Sequence, residues 1–257
     1  FSHAGAVRID HVLGLFRLWW IPQGEGARGG AYVTYDYEAM IAILTIEASR
    51  VNGLVVGEDL GTVPDYVRTV LGEHGLLGCM VEWFARVDDS PNAGDPYADP
   101  STYRKYALAS VTTHDLPPTA GYLQFEHVKL REQLHLLSGP VEEFQASATA
   151  ERDAMMDRLV ESGLITPEVA GDVEGPTSRK SSRRCTRCCS SRRPCCCRPR
   201  WWMAWARRAR RTSRATSSEY SNWRVPLAGP DLKVVHTDEV FDLPRVQSLA
   251  AIMNGEK

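Results

Sequence analysis

Short apolar runs alternate with longer stretches of helical spacing through the first half of the chain. "GAVRIDH" (Gly5–His11) places Val7 and Ile9 before Asp10. "NGLVVGEDLG" (Asn52–Gly61) runs Leu54-Val55-Val56 into Gly57-Glu58-Asp59. "YALASVTTHDLPPT" (Tyr106–Thr119) stays apolar and β-branched up to Thr113-His114-Asp115, and "LLGCMVEWFA" (Leu76–Ala85) is a fourth run of buried-strand character. Between them, "YDYEAMIAILTIEASRV" (Tyr35–Val51) has apolar residues at Met40, Ile41, Leu44 and Ala48. "VPDYVRTVLGEHG" (Val63–Gly75) has them at Val67, Val70 and Leu71, with Gly75 as a stop. Strand and helix in alternation predict an α/β fold with a parallel sheet, and polar clusters past the strands are where such folds place chemistry. After Thr119 the spacing is helical, in "FEHVKLREQLHLL" and "PVEEFQASATAERDAMMDRLVESG", and "LITPEVAG" starts another short turn. "DEVFDLPRVQSLAAIMNG" predicts a further helix near the end.

Charge changes this picture. The chain has 257 residues and a net charge of −2. From Ser178 to Ser217, however, there are fourteen Lys and Arg and no acid, so the other 217 residues carry 16 basic and 32 acidic side chains. An acidic chain is interrupted by a basic block, and six of its seven cysteines lie there, between Cys185 and Cys197. No apolar run approaches the roughly 20 residues of a membrane span. Phe1–Ile9 lacks the basic region and apolar block of a signal peptide, and Phe1 reads as an internal residue of something longer. A cytoplasmic protein is expected, with no membrane or nucleic-acid partner.

Asp10, Glu58 and Asp115 each fall just past a predicted strand. A pair of carboxylates flanking a scissile bond, with a third beside them, is the equipment of a retaining glycosidase. Strand-end carboxylates also serve as helix caps and surface ion pairs, so position alone leaves both readings open. The surrounding text is more specific. "RIDH" with "GLFRLWWIP" downstream, then "GEDLGTVP", then "TTHDLPPT" closely resemble, in order and spacing, the motifs of the amylomaltase family, the 4-α-glucanotransferases. "GAYVTYD" and "NWRVPL" resemble that family's text too. The similarity covers Ala6 to about Gly139 and again Glu219 to Met253.

The resemblance implies a (β/α)8 TIM barrel and transfer of an α-1,4-glucan segment from a donor to the 4-hydroxyl of an acceptor glucan or glucose. A hydrolytic α-amylase-type relative is the alternative activity. Asp10 matches the nucleophile, and Arg8 the arginine that keeps it ionised. Glu58 matches the acid/base, which must be protonated at the start. Asp115 matches the carboxylate that stabilises the transition state, and His114 its hydrogen-bonding neighbour. Tyr32 and Trp83 are candidate substrate contacts, and Trp19, Trp20 and Trp83 candidate sugar-stacking faces. Asp59 reads as a structural hydrogen bonder and Cys79 as a buried thiol. No cofactor and no metal are expected: His11, His74, His127 and His135 have no metal-ligand spacing.

The cysteine block matches no site. Cys185 and Cys188 are followed by an adjacent Cys189 and then the Cys195-Cys196-Cys197 triplet, with no second spaced pair and no His for zinc. The genetic code offers a different account. Read one base earlier, two adjacent Cys codons always contain a Leu codon. Trp201-Trp202-Met203 then forces Val-Asp, while Met203-Ala204 and Trp205-Ala206 each force Gly. About Arg179 to Thr216 therefore reads as out-of-frame translation, with the frame restored by Glu219. The expected organisation is residues 1–139 as a catalytic barrel half, 140–177 as a helical insertion, 178–217 as an out-of-frame, low-complexity basic segment without ordered structure, and 218–257 as a C-terminal barrel remnant. Against eight family strands, this chain begins just before the fourth, and its block falls where the last should be. A barrel lacking both cannot close, so an inactive fragment is the alternative to an active enzyme.

Overall fold

Each of the four apolar runs forms a strand. The structure is a computed structural model and describes residues 1–89, 92–171, 196–197, 219–220, 222, 224, 226–228 and 233–254. These residues pack as two units. Phe1–Met80 with Arg104–Leu108 and Cys196 belongs to the first, and Val81–Tyr103 with residues 109–171 and the described residues from Cys197 onward to the second.

In the first unit, β1 (Ala6–Ile9) leads through a short 3-10 turn into an antiparallel hairpin of β2 (Arg17–Trp20) and β3 (Ala31–Thr34). Helix α1 (Tyr37–Arg50) follows, and its first turn is capped by Asp36, which accepts from the Ala39 N–H at 3.1 Å. The chain then returns as β4 (Leu54–Gly57), parallel to β1, with Ala6 opposite Leu54 and Ile9 opposite Gly57. Helix α2 (Asp65–Glu73) crosses over to β5 (Gly78–Val81). A parallel bridge between Val56 and Leu77 brings β4 and β5 side by side, and the Gly57 N–H donates to Leu77 O at 2.7 Å. Next comes β6 (Ala107–Ser110), with the Gly78 N–H donating to Tyr106 O at 3.2 Å. β1, β4, β5 and β6 thus lie side by side in chain order, with β1 and β4 parallel.

The first core lies under the two crossover helices. Val12, Phe16, Ile41, Val55, Val67 and Leu71 pack together there, and the apolar residues at helical spacing supply α1's Ile41 and α2's Val67 and Leu71. Gly75 closes α2 in the left-handed conformation, φ 72°.

The second unit is mainly helical after β6: α3 (Thr119–Leu123), α4 (Glu126–Gln133), α5 (Val141–Glu161) and α6 (Pro167–Gly171). Helix α5 buries Met155, Met156 and Leu159, and its Arg158 reaches Asp99 at 3.2 Å. Farther on, α7 (Pro244–Met253) buries Val246 and Leu249 against Val240 of the preceding 3-10 turn. Within the basic block, Cys196 and Cys197 are described and form the two-residue strand β7, placed after β5 and β6 in a three-stranded sheet. Ladder pairing uses backbone groups, so even this text can add a short strand. The rest of Ser178–Ser217 lies outside the described residues. Among the described residues no helix is long and apolar enough to cross a membrane.

Candidate active site

Strand register brings two of the expected carboxylates together. Asp10 follows β1, Glu58 follows β4, and the two strands end level because Ile9 is opposite Gly57. The ladder continues past the strands: the Glu58 N–H donates to Ile9 O at 2.9 Å, and the Val12 N–H donates to Glu58 O at 3.0 Å. Between these bonds His11 takes the left-handed conformation, φ 47°, which is uncommon for a residue with a Cβ. Its N–H donates to Glu58 Oε2 at 2.9 Å, while Glu58 Oε1 accepts from the Leu60 N–H at 2.8 Å. Both oxygens of Glu58 are thus held by backbone donors, one of them from the residue beside Asp10. Gly57 makes this approach possible, since a Cβ there would stand 2.9 Å from Val12 Cγ2.

Arg8 lies two residues before Asp10 on the same strand face, and its Nη1 donates to Asp10 Oδ1 at 2.6 Å. Burial works against the Arg8 charge, but the bond to Asp10 and the neighbouring Cys79 side chain outweigh it, and its pKa lies above the ordinary value. The Cys79 pKa is raised as well. Burial pushes its thiol pKa up, Arg8 draws it down, and Asp59 and Glu58 add to the rise. Arg8, Asp10, Glu58 and Cys79 therefore form one electrostatic group at the ends of β1, β4 and β5.

The other expected residues sit elsewhere in the chain. Tyr32 is on β3, opposite Trp19, with the Arg17 guanidinium 4.2 Å above its ring. Trp19, Trp20 and Tyr32 are all exposed, as a stacking surface requires. In the second unit, His114 and Asp115 follow β6 and are half-buried, and Asp115 accepts a hydrogen bond from the Thr113 hydroxyl. Trp83 is buried, with its ring centroid 3.8 Å from that of Tyr122. It lines a cavity of about 260 Å³ together with Leu116, Arg131, Phe144 and Glu151.

A family model described as 4-alpha-glucanotransferase matches residues 1–230. The chain belongs to the 4-alpha-glucanotransferase family. It is 45% identical over 255 residues to the 4-alpha-glucanotransferase of Mycobacterium tuberculosis, covering 96% of this chain and 33% of that protein. With the Haemophilus influenzae 4-alpha-glucanotransferase it shares 39% over 174 residues, covering 67% of this chain and 24% of that one. The chain thus spans about a third of the length of the first of these relatives. Among solved structures, the amylomaltase of Corynebacterium glutamicum superposes with a TM-score of 0.86 at 28% identity, covering 98% of this chain and 36% of that one. The amylomaltase of Streptococcus agalactiae, solved with acarbose, has the same fold, with a TM-score of 0.58 at 18% identity over 95% of this chain and 40% of that one. The fold is that of a partial (β/α)8 barrel.

Four contributors to the strand-end group were not foreseen as such: the backbone N–H groups of His11 and Leu60, the Cys79 thiol facing Arg8, and Arg104. Arg104 lies in "TYRKYA", where no periodicity or motif marks it. Asp59, read as a structural hydrogen bonder, is buried at 1% exposure and accepts from the Cys79 N–H at 2.8 Å and from Arg104 at 2.8 Å.

Proposed function

We propose that this chain carries the reacting carboxylates of a retaining 4-α-glucanotransferase acting on maltooligosaccharides. The observation that carries the reading is the level ending of β1 and β4, with Asp10 on Arg8 and Glu58 beside the His11 N–H. Asp10 attacks the anomeric carbon of the donor and forms a glycosyl ester. Glu58 protonates the departing glycosidic oxygen and then takes the proton from the acceptor's 4-hydroxyl. To donate, Glu58 must turn a carboxyl oxygen from its backbone partners toward the substrate. Arg8 holds Asp10 in place. Asp115 and His114 are assigned to the ring hydroxyls and the oxocarbenium-like transition state, and Tyr32 and Trp83 to substrate contact.

The experiment uses an enzyme completed to the relatives' length and read in frame across the basic block, with maltotriose as substrate. Asp10→Asn should abolish transfer. Glu58→Gln should slow it about 10²–10⁴-fold yet retain the first fluoride release from an α-maltosyl fluoride, which departs without a proton. Maltopentaose with glucose, or maltotetraose with maltose, reports transfer; maltose with glucose and no longer product reports hydrolysis and favours the α-amylase-type reading. Loss of fluoride release in Glu58→Gln to the level of Asp10→Asn would overturn the assignment of roles.

A second reading concerns the chain by itself. Its basic block, which interrupts the family-like text, favours an inactive polypeptide, and maltotriose incubated with this chain should remain maltotriose. Sequencing the gene across Arg179–Thr216 tests the out-of-frame reading directly.

A further inference from the structure

Glu58 and Asp59 are adjacent, and the second carboxylate has no part in the reaction described above. It is nevertheless among the most heavily bonded side chains of the first unit. Its Oδ1 accepts from the Cys79 N–H at 2.8 Å and from Arg104 Nη2 at 3.2 Å; its Oδ2 accepts from Arg104 Nη1 at 2.8 Å, with Arg68 Nε at 3.6 Å. Arg104 Nη2 also donates to Cys79 O at 2.7 Å. One guanidinium therefore clamps Asp59 to both polar groups of a single β5 residue. The fit depends on Gly78: a Cβ there would come within 2.9 Å of both Arg104 terminal nitrogens and 3.0 Å of Asp59 Oδ2.

A buried carboxylate is costly to desolvate, and an apolar side chain of similar volume often holds a fold equally well. What an apolar side chain cannot do is fix the orientation of the peptide that follows. The Asp59–Leu60 peptide is the one whose N–H donates to Glu58 Oε1 at 2.8 Å. With the Asp59 side chain locked to β5, that N–H is aimed at Glu58, while the His11 N–H holds the other oxygen from the β1 side.

We propose that Asp59, clamped by Arg104, is a positioning residue for Glu58. The inference rests on the reading of Glu58 as acid/base. It predicts a loss confined to steps that need a proton in flight. A residue that only supports the fold would slow every step alike.

The test compares maltotriose with α-maltosyl fluoride in the completed, in-frame enzyme. Asp59→Asn keeps the shape and an acceptor for Cys79, and Arg104→Gln changes the exposed end of the clamp, so at least one folded variant is secured; circular dichroism confirms it. For transfer from maltotriose, kcat should fall about 10–100-fold, the scale of a misplaced catalytic group, with KM changed less than about threefold. First fluoride release should change less than about threefold, because a loss there would need Asp10 to be displaced. Arg104→Lys, which keeps the charge but not the fork, should fall between wild type and Arg104→Gln. Equal losses on the two substrates, or no loss on either, would overturn the positioning role. Wild type silent on both substrates would overturn the reading of Glu58, and the positioning role with it.

Discussion

The two sides of β4 use the same chemistry for opposite ends. On the β1 side, Glu58 is half-buried and accepts from two backbone N–H groups. On the β5 side, Asp59 is buried and bound by a backbone N–H and a forked guanidinium. One peptide step separates them. Both follow directly on β4, and their side chains meet different partners: the His11 and Leu60 N–H groups for Glu58, β5 and Arg104 for Asp59. Half-buried and bonded to main-chain donors, Glu58 can turn toward a substrate; buried and ion-paired, Asp59 stays where its partners hold it.

The largest effect should come from removing each carboxylate in turn. Asp59→Ala leaves the Cys79 N–H without its acceptor and Arg104 without its counterion. The cost should be about 2–3 kcal/mol, discounted because Arg104 is partly exposed. Glu58→Ala should cost at most about 1 kcal/mol, the scale of losing a cap-like acceptor. Urea unfolding followed by tryptophan fluorescence gives both values. Equal losses would show that the two sides of β4 are alike and remove the distinction drawn above.

Much of this region was legible in the sequence. Apolar runs ending in Asp10, Glu58-Asp59 and Asp115 gave β1, β4 and β6 their places because buried parallel strands are continuous and their ends are not. The β2–β3 hairpin was not foreseen: Arg17-Leu18-Trp19-Trp20 does not alternate, and its aromatic residues are exposed rather than packed inward. Nor was the holding of Glu58. Its partners are main-chain N–H groups, which every residue but proline carries, so no residue type marks them. Arg104 lies 45 residues from Asp59, and only the crossover through α2 and β5 brings them together.

Two glycines sharpen the comparison by perturbing one side at a time. In Gly57→Ala the new methyl would meet Val12, which is fully buried and cannot withdraw. Overpacking of this kind costs about 1–3 kcal/mol. It should also shift the His11 N–H away from Glu58. In Gly78→Ala the methyl would meet Arg104, whose partly exposed side chain can yield, and the cost should be nearer 1 kcal/mol, at the low end of that range. The two glycines also differ in coupling. Gly78→Ala should cost almost nothing more once Asp59→Ala has released the clamp, whereas Gly57→Ala should add independently to Asp59→Ala. Unfolding free energies of the two double variants check this, and strict additivity of Gly78→Ala with Asp59→Ala would mean that the clamp does not depend on the missing Cβ.

The smallest effect is a pH dependence at Cys79, where the two sides of β4 meet. Burial raises the thiol's pKa above its ordinary value, and Asp59 and Glu58 add to the rise, although Arg8 opposes the shift. A thiol whose folded pKa is raised keeps its proton in the folded state after the unfolded chain has lost it. Its contribution is therefore complete below the unfolded value and is lost as pH rises from there through the folded one. Cys79→Val has no proton to lose, so subtraction isolates the thiol from every other titrating group. Under reducing conditions the stability difference between wild type and Cys79→Val should be flat from pH 6 to about 8. Above the thiol's unfolded pKa of about 8.5 it should turn against wild type, with a limiting slope of about 1.4 kcal/mol per pH unit. Asp59→Ala removes one of the charges that raise the pKa, so in that background the decline should end at a lower pH. A flat difference up to pH 10 would mean that the thiol titrates alike in both states, and that the charges on either side of β4 do not reach it.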